Sequence, residues 1–97
     1  MAFNLRLSLV FRRARWKVKI RDKETREHPH VTVIRGTEAW RINLRTGMFM
    51  DPTPDPSVVP SGLLEYLKGE AVWQQLCDAW DRLYPDNPVV GGEQDEE

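Results

Sequence analysis

The stretch His30–Arg45, "HVTVIRGTEAWRINLR", decides the fold class of this chain. Its first half is rich in β-branched residues, and in its second half Trp40, Ile42 and Leu44 alternate with polar residues. Such runs are typical of β-strands, and the Gly36–Thr37 pair between them predicts a two-residue hairpin of type II′. We therefore expect two antiparallel strands with one apolar face.

The segments before this hairpin continue the alternation. In "RWKVKIR" (15–21) apolar residues occupy the even positions, whereas in "FNLRLSLVFR" (3–12) they occupy most odd positions. A slip of one residue turns every side chain to the other face, so we expect a turn or bulge near Arg12–Arg15. Both segments are predicted strands, and the charged segment Asp22–Pro29 is a predicted loop.

The chain after the hairpin changes character at a proline-rich segment. Residues 48–50, "MFM", follow a Thr-Gly turn and form a candidate fifth strand. Residues 51–60 contain four prolines and predict a stiff, extended crossover.

Two helices are predicted after the crossover. "SGLLEYLKG" (61–69) indicates a short helix with Ser61 as its N-cap and Gly69 as its stop. "EAVWQQLCDAWDRLYP" (70–85) has apolar residues at the i, i+3, i+4 and i+7 positions and predicts a longer helix that ends at Pro85. Sheet strands with one apolar face need a cover, which the tryptophan-rich stripe of this helix supplies.

The predicted fold is therefore α+β: an antiparallel β-meander of four to five strands, covered on one face by one short and one longer C-terminal helix. We expect one domain over residues 1–88 and an acidic, disordered tail over residues 89–97. No run of about 18 apolar residues predicts a membrane span. The start of the chain lacks the pattern of a signal peptide, and the single Cys77 favours a reducing, cytoplasmic setting.

The charges are divided unevenly along the chain, although the net charge is −1. Residues 1–50 hold twelve Lys and Arg against four Asp and Glu, while residues 51–97 hold two against eleven. Such asymmetry indicates an anionic partner for the basic half or association of the two halves.

If the apolar strand residues face the helices, several bases share the opposite, open sheet face. We expect Arg6 and Arg12 to lie beside them. The partner-binding residues predicted on this face are Lys17, Lys19, Arg21, Arg41 and Arg45. A solvated surface, an acidic protein partner and a nucleic acid all remain open, although the face lacks the aromatic residues common in nucleic-acid sites.

Two histidines flank Pro29 at the start of the hairpin. His28 and His30 lie on one side of an extended strand, but a metal site needs a third ligand and the sequence offers no good candidate, so we predict no metal and no cofactor. A general acid or base role for His30, beside Arg35 or Arg41 in a ribonuclease-like site, is an alternative. Other enzymatic motifs are missing from the sequence, and an enzyme is the less favoured class.

The stretch "EHPHVTVIRGTEAWRINLRTGMF" with the later "LCDAWDRLYPDNPV" resembles a family of short bacterial domains of unknown function. The shared feature is a Pro-His-Val-x-Val strand at Pro29–Val33, in a similarity that covers roughly Arg15 to Pro88. The family pattern "PPHVHV" has a second strand histidine where this chain has Thr32, so the resemblance singles out His30. Members often lie in gene pairs that resemble toxin–antitoxin modules.

These observations predict a small cytosolic interaction module that binds an anionic partner through a basic sheet face, as part of a toxin–antitoxin-like pair. Two alternatives are kept. One is a metal-independent ribonuclease-type toxin that uses His30, and the other is a homo-oligomeric structural protein in which the basic sheet of one copy meets the acidic helices of another.

Overall fold

The protein has the predicted α+β architecture in a computed structural model, which describes residues 2–21 and 28–90. One antiparallel sheet has the strand order β1-β2-β3-β4. The strands are β1 (Phe3–Leu5), β2 (Trp16–Ile20), β3 (His30–Arg35) and β4 (Glu38–Asn43). The helices are α1 (Leu9–Arg13), α2 (Ser61–Leu67) and α3 (Glu70–Leu83).

The strand register separates an apolar face of the sheet from a polar one. One row across all four strands consists of Leu5, Val18, Val33 and Trp40, which are all buried. The adjacent row, on the other face, consists of Asn4, Lys19, Thr32 and Arg41. The period-2 alternation therefore predicted the apolar sides of β2 and β4 correctly. The polar side was expected to be open, but on β3 Thr32 and His30 are buried there.

The core lies between the apolar sheet face and the two C-terminal helices. Leu63 and Leu67 of α2 and Leu76 and Trp80 of α3 are fully buried in the same cluster as the apolar strand residues. Burial of aliphatic and aromatic side chains at about 25 cal/mol per Å² is the main force that holds such layers together.

The β3–β4 hairpin is confirmed. Arg35 pairs with Glu38, so Gly36 and Thr37 form a two-residue loop. Gly36 has a φ of 62°, while Thr37 has no positive φ. This combination is what a type II′ turn requires, because only its first central residue has a positive φ.

The prediction of a strand over the whole of 3–12 is wrong. β1 ends at Leu5, and the chain then forms the five-residue helix α1. Through this helix Phe11 reaches Tyr66 of α2, with 6.4 Å between the ring centroids. The chain turn expected near Arg12–Arg15 is present, and it is completed by Arg15 at a φ of 71°.

Smaller differences concern the ends of elements. The N-cap of α2 is Pro60 rather than Ser61. The helix ends before Gly69, as predicted, and Gly69 is also the N-cap of α3. The predicted fifth strand amounts to one bridge between Ile42 and Phe49. The proline-rich crossover contains a short 3-10 turn at Pro56–Val58.

Two predicted segments lie partly outside the described residues. They are the predicted loop, at residues 22–27, and the predicted tail, at residues 91–97. Val89, where the predicted tail begins, is only 7% exposed and packs on the core.

Candidate functional site

The five bases predicted to form one open face have different surroundings. Lys17 and Lys19 of β2 and Arg41 of β4 lie on the polar sheet face by register. Lys17 is exposed and Lys19 is half-buried. Arg21 is exposed and directly follows β2, and its main-chain oxygen accepts a hydrogen bond from Tyr84.

Arg41 is engaged by a carboxylate of its own chain. Its Nε and Nη2 atoms donate hydrogen bonds to the two carboxylate oxygens of Asp51, at 2.8 and 2.7 Å. The side-chain hydrogen bond from Arg41 lowers the pKa of Asp51 below its ordinary value, with smaller effects from burial, which opposes the shift, and from the charges of Arg41 and His30. The bidentate geometry orients both groups.

Arg45 is engaged by the C-terminal segment. Its guanidinium donates hydrogen bonds to the main-chain oxygens of Val89 and Pro88 and to the side-chain oxygen of Asn87. Through these contacts Arg45 attaches residues 87–89 to the end of β4.

A basic groove lies where β1 and β2 diverge. β1 stops at Leu5, opposite Val18, but β2 extends further, to Lys17 and Trp16. The resulting groove has a volume of about 460 Å³, within the range of roughly 300–1,000 Å³ that is usual for ligand sites.

Five cationic side chains line this basic groove, and no acidic side chain does. They are Arg6, Arg12, Arg15, Lys17 and Lys19. No ion pair joins any of them to another residue within 2–21 and 28–90. Residues 1–21 as a whole contain seven Lys and Arg and no Asp or Glu. A cleft lined by charges of one sign concentrates the electric field and attracts counter-charged ligands.

The interior of the basic groove is apolar. Leu5, Leu7, Trp16 and Val18 contribute to its lining and are otherwise buried in the core. The groove therefore combines a cationic rim with an apolar floor. Such a lining suits a ligand that carries negative charges together with some apolar surface.

Sequence reasoning found four of the five groove cations and missed Arg15. The change of apolar phase located the turn, but it did not reveal a helix that ends beside β2. Arg15 takes a left-handed backbone conformation, which is uncommon for a residue other than glycine, asparagine or aspartate. No signal in the local sequence indicates this conformation.

His30, the predicted acid or base, is almost fully buried, with 1% of its surface exposed. Its Nδ1–H donates to the main-chain oxygen of His28 at 2.8 Å, and its ring centroid lies 5.4 Å from that of Trp80. A group that transfers protons must come within hydrogen-bond reach of its substrate, and this burial weighs against catalysis by His30. A catalytic role stays a prediction.

The described residues contain few other groups that could react with a substrate or bind a metal ion. Cys77 is buried on α3, and burial raises the pKa of its thiol, with Asp81 and Asp78 adding to the effect. Within residues 2–21 and 28–90, no three His, Cys, Asp or Glu side chains are grouped in a way that would hold a metal ion. None of the helices in these ranges is long and apolar enough to cross a membrane.

Comparisons of the chain with protein-family models, with curated proteins and with solved structures give no match. The resemblance to the bacterial Pro-His-Val-x-Val domains therefore stays a prediction.

Proposed function

We propose that this chain is an interaction module that binds an anionic partner through the basic groove. The observation that carries the proposal is the lining of that groove by five cationic side chains without one carboxylate. Cations held together in this way repel one another, and an anionic ligand relieves this repulsion when it binds.

The proposed binding surface keeps Lys17 and Lys19 of the five predicted bases. It also includes Arg6 and Arg12, which were expected beside them, and Arg15. Arg41 and Arg45 have structural roles in this proposal, because Arg41 binds Asp51 and Arg45 binds the C-terminal segment.

The setting that we propose is the cytoplasm, since a lone buried thiol suits a reducing compartment. The resemblance to domains of toxin–antitoxin-like gene pairs makes the product of a neighbouring gene the first natural partner to test.

The test is binding of two labelled polyanions, a single-stranded RNA and poly-L-glutamate, to the full chain. Fluorescence anisotropy at about 50 and 200 mM NaCl measures the loss of affinity with salt, which should be steep if charge contacts dominate. The charge-reversal variant Arg12→Glu with Lys17→Glu should weaken binding of whichever polyanion is bound.

A matched control is Lys68→Glu with Arg82→Glu, which changes the net charge by the same amount at exposed positions outside the groove. This control should retain most of the binding. If neither polyanion binds at low salt, or if both double variants weaken binding equally, the proposal is wrong.

A further inference from the structure

We propose that the ligand of the basic groove is an extended peptide of another protein, in which acidic and aliphatic side chains alternate. This inference rests on the proposed function and narrows the anionic partner to one chemical class. Three features support it: a strand edge without a partner, an apolar floor, and nearby aromatic rings that already pack against other residues of the fold.

The strand edge is the first feature. Trp16 and Lys17 pair with Arg35 and Ile34 of β3, but β1 ends before it could pair with them on the other side. Among the described residues, β2 therefore has no strand partner along this part of the groove. An extended peptide can pair with such an edge through its main chain, which is a common mode of peptide recognition.

The alternation of the ligand follows from the two sheet faces. Lys17 and Lys19 point to the same face and are separated by about 6–7 Å along β2. A peptide strand laid beside β2 presents every second side chain to this face, where carboxylates would meet Lys17 and Lys19. Arg12 and Arg15 line the same groove and add to its positive charge. The remaining side chains turn to the opposite face, where Leu5 and Leu7 form the apolar floor.

Helix α1, which contributes Arg12 to the groove lining, also carries exposed aliphatic side chains outside that lining. Leu9 is 50% exposed and Val10 is 73% exposed. Leu9 lies three positions before Arg12, so the two side chains share one side of the helix next to the groove. Exposed aliphatic side chains beside a cationic cleft match a ligand that carries both kinds of side chain.

The aromatic rings near the groove argue against nucleic acid as the ligand. Proteins that bind single strands commonly stack bases on exposed aromatic rings. Here Trp16 packs on Trp40, at 5.6 Å between centroids, and the Arg35 guanidinium lies 5.3 Å from its ring. Phe11 is packed on Tyr66. These rings are engaged within the fold, so a nucleic acid would have only phosphate contacts.

The experiment compares three ligands of equal charge with the full chain at near-physiological salt. The first is a peptide of alternating Glu and Val, and the second has the same composition arranged as one Glu block and one Val block. The third is a single-stranded RNA. Fluorescence anisotropy should show the alternating peptide bound about tenfold more tightly than either other ligand, a difference of about 1.4 kcal/mol.

Two variants connect the affinity to the groove. Leu9→Ser should lower the affinity for the alternating peptide several-fold and leave RNA binding unchanged. Val58→Ser is the matched control, since Val58 is a comparably exposed aliphatic residue on the 3-10 turn of the crossover, whereas Leu9 shares one side of α1 with the groove residue Arg12. Amide NMR shifts on addition of the alternating peptide should be largest at Trp16 and Lys17.

The outcomes separate the inference from the proposed function. If RNA binds more tightly than both peptides and depends on Arg12 and Lys17, the inference is wrong and the proposed function stands. Equal binding of the alternating and block peptides also overturns the inference, because charge alone would then explain the affinity. If none of the three ligands binds, both proposals are wrong.

Discussion

Arg45 donates a hydrogen bond from Nε to the main-chain oxygen of Val89, which lies 44 positions further along the chain, at 3.0 Å. The same guanidinium also reaches Pro88 and Asn87, and the main-chain oxygen of Asn87 accepts a hydrogen bond from Trp80 Nε1. A residue that alternation placed on an open binding face is therefore the attachment point of the C-terminal segment.

Replacing Arg45 should detach this segment and destabilise the fold. Arg45→Gln removes hydrogen bonds from a charged donor, and such bonds contribute roughly 1.5–3 kcal/mol each. Because water can replace part of them in the variant, we expect the free energy of unfolding to fall by about 2 kcal/mol. Urea unfolding measures this loss, and faster amide exchange at Val89 should accompany it. Arg82→Gln, at an exposed position, is the control. Equal stabilities of the two variants would contradict the prediction.

The Arg41–Asp51 pair should make part of the stability depend on pH. The pKa of Asp51 is lowered in the folded state, chiefly by the hydrogen bond from Arg41, so the pair stabilises the fold at neutral pH. This contribution is lost as the pH falls through the folded-state pKa, below the ordinary range of an aspartate.

Asp51→Asn tests this dependence. Because both side chains are about one-third exposed, we expect a cost of only about 1 kcal/mol at neutral pH. In strongly acid buffer the variant and the parent protein should have nearly the same free energy of unfolding. Asp86→Asn, at an exposed position, serves as the control. A cost for Asp51→Asn that does not change with pH would exclude the pair as its source.

Arg15 should show a conflict between stability and binding. Its φ of 71° costs an L-residue with a side chain on the order of 1 kcal/mol, and glycine avoids this cost. Arg15→Gly should therefore leave the free energy of unfolding unchanged or raise it by up to about 1 kcal/mol, while it weakens binding of the anionic ligand. Urea unfolding and anisotropy measure the two effects. A variant that is less stable and binds normally would contradict both expectations.

Two glycines should respond in opposite ways to alanine. Gly36→Ala places a side chain at a φ of 62° and should destabilise the protein by about 1 kcal/mol, although nothing lies within 4 Å of the added Cβ. In α2, a Cβ at Gly62 meets Phe11 at 3.9 Å, an ordinary contact, and Gly62→Ala should stabilise by up to about 1 kcal/mol. Urea midpoints that shift in the same direction would refute the contrast.

The Cys77 thiol should be unreactive in the native protein. It is 9% exposed, and burial, with help from Asp81 and Asp78, raises its pKa and so disfavours the reactive thiolate. Labelling with a thiol reagent at neutral pH should be slow in buffer and fast in denaturant. Rapid labelling without denaturant would show that α3 opens readily from the sheet.

Local patterns were sufficient to predict most of the fold. Alternation over 15–21 and 38–45 predicted β2 and β4 and their apolar faces, the β-branched run from His30 predicted β3, and the helical stripe predicted α3. The same rule failed over 3–12, because a period-2 pattern of leucines also fits a short strand that is followed by a helical turn. The packing of Phe11 on Tyr66, which is 55 positions further along the chain, favours the helix.

The sequence by itself determined the two sheet faces and the sign of the charge on the polar one, because both depend on alternation between neighbouring residues. The tertiary structure decided which cations line the basic groove. Asp51 and residues 87–89 engage Arg41 and Arg45, whereas the divergence of β1 from β2 brings Arg6, Arg12 and Arg15 to Lys17 and Lys19. That selection depends on how the strands, the helix α1 and the C-terminal segment pack together, and no local pattern encodes it.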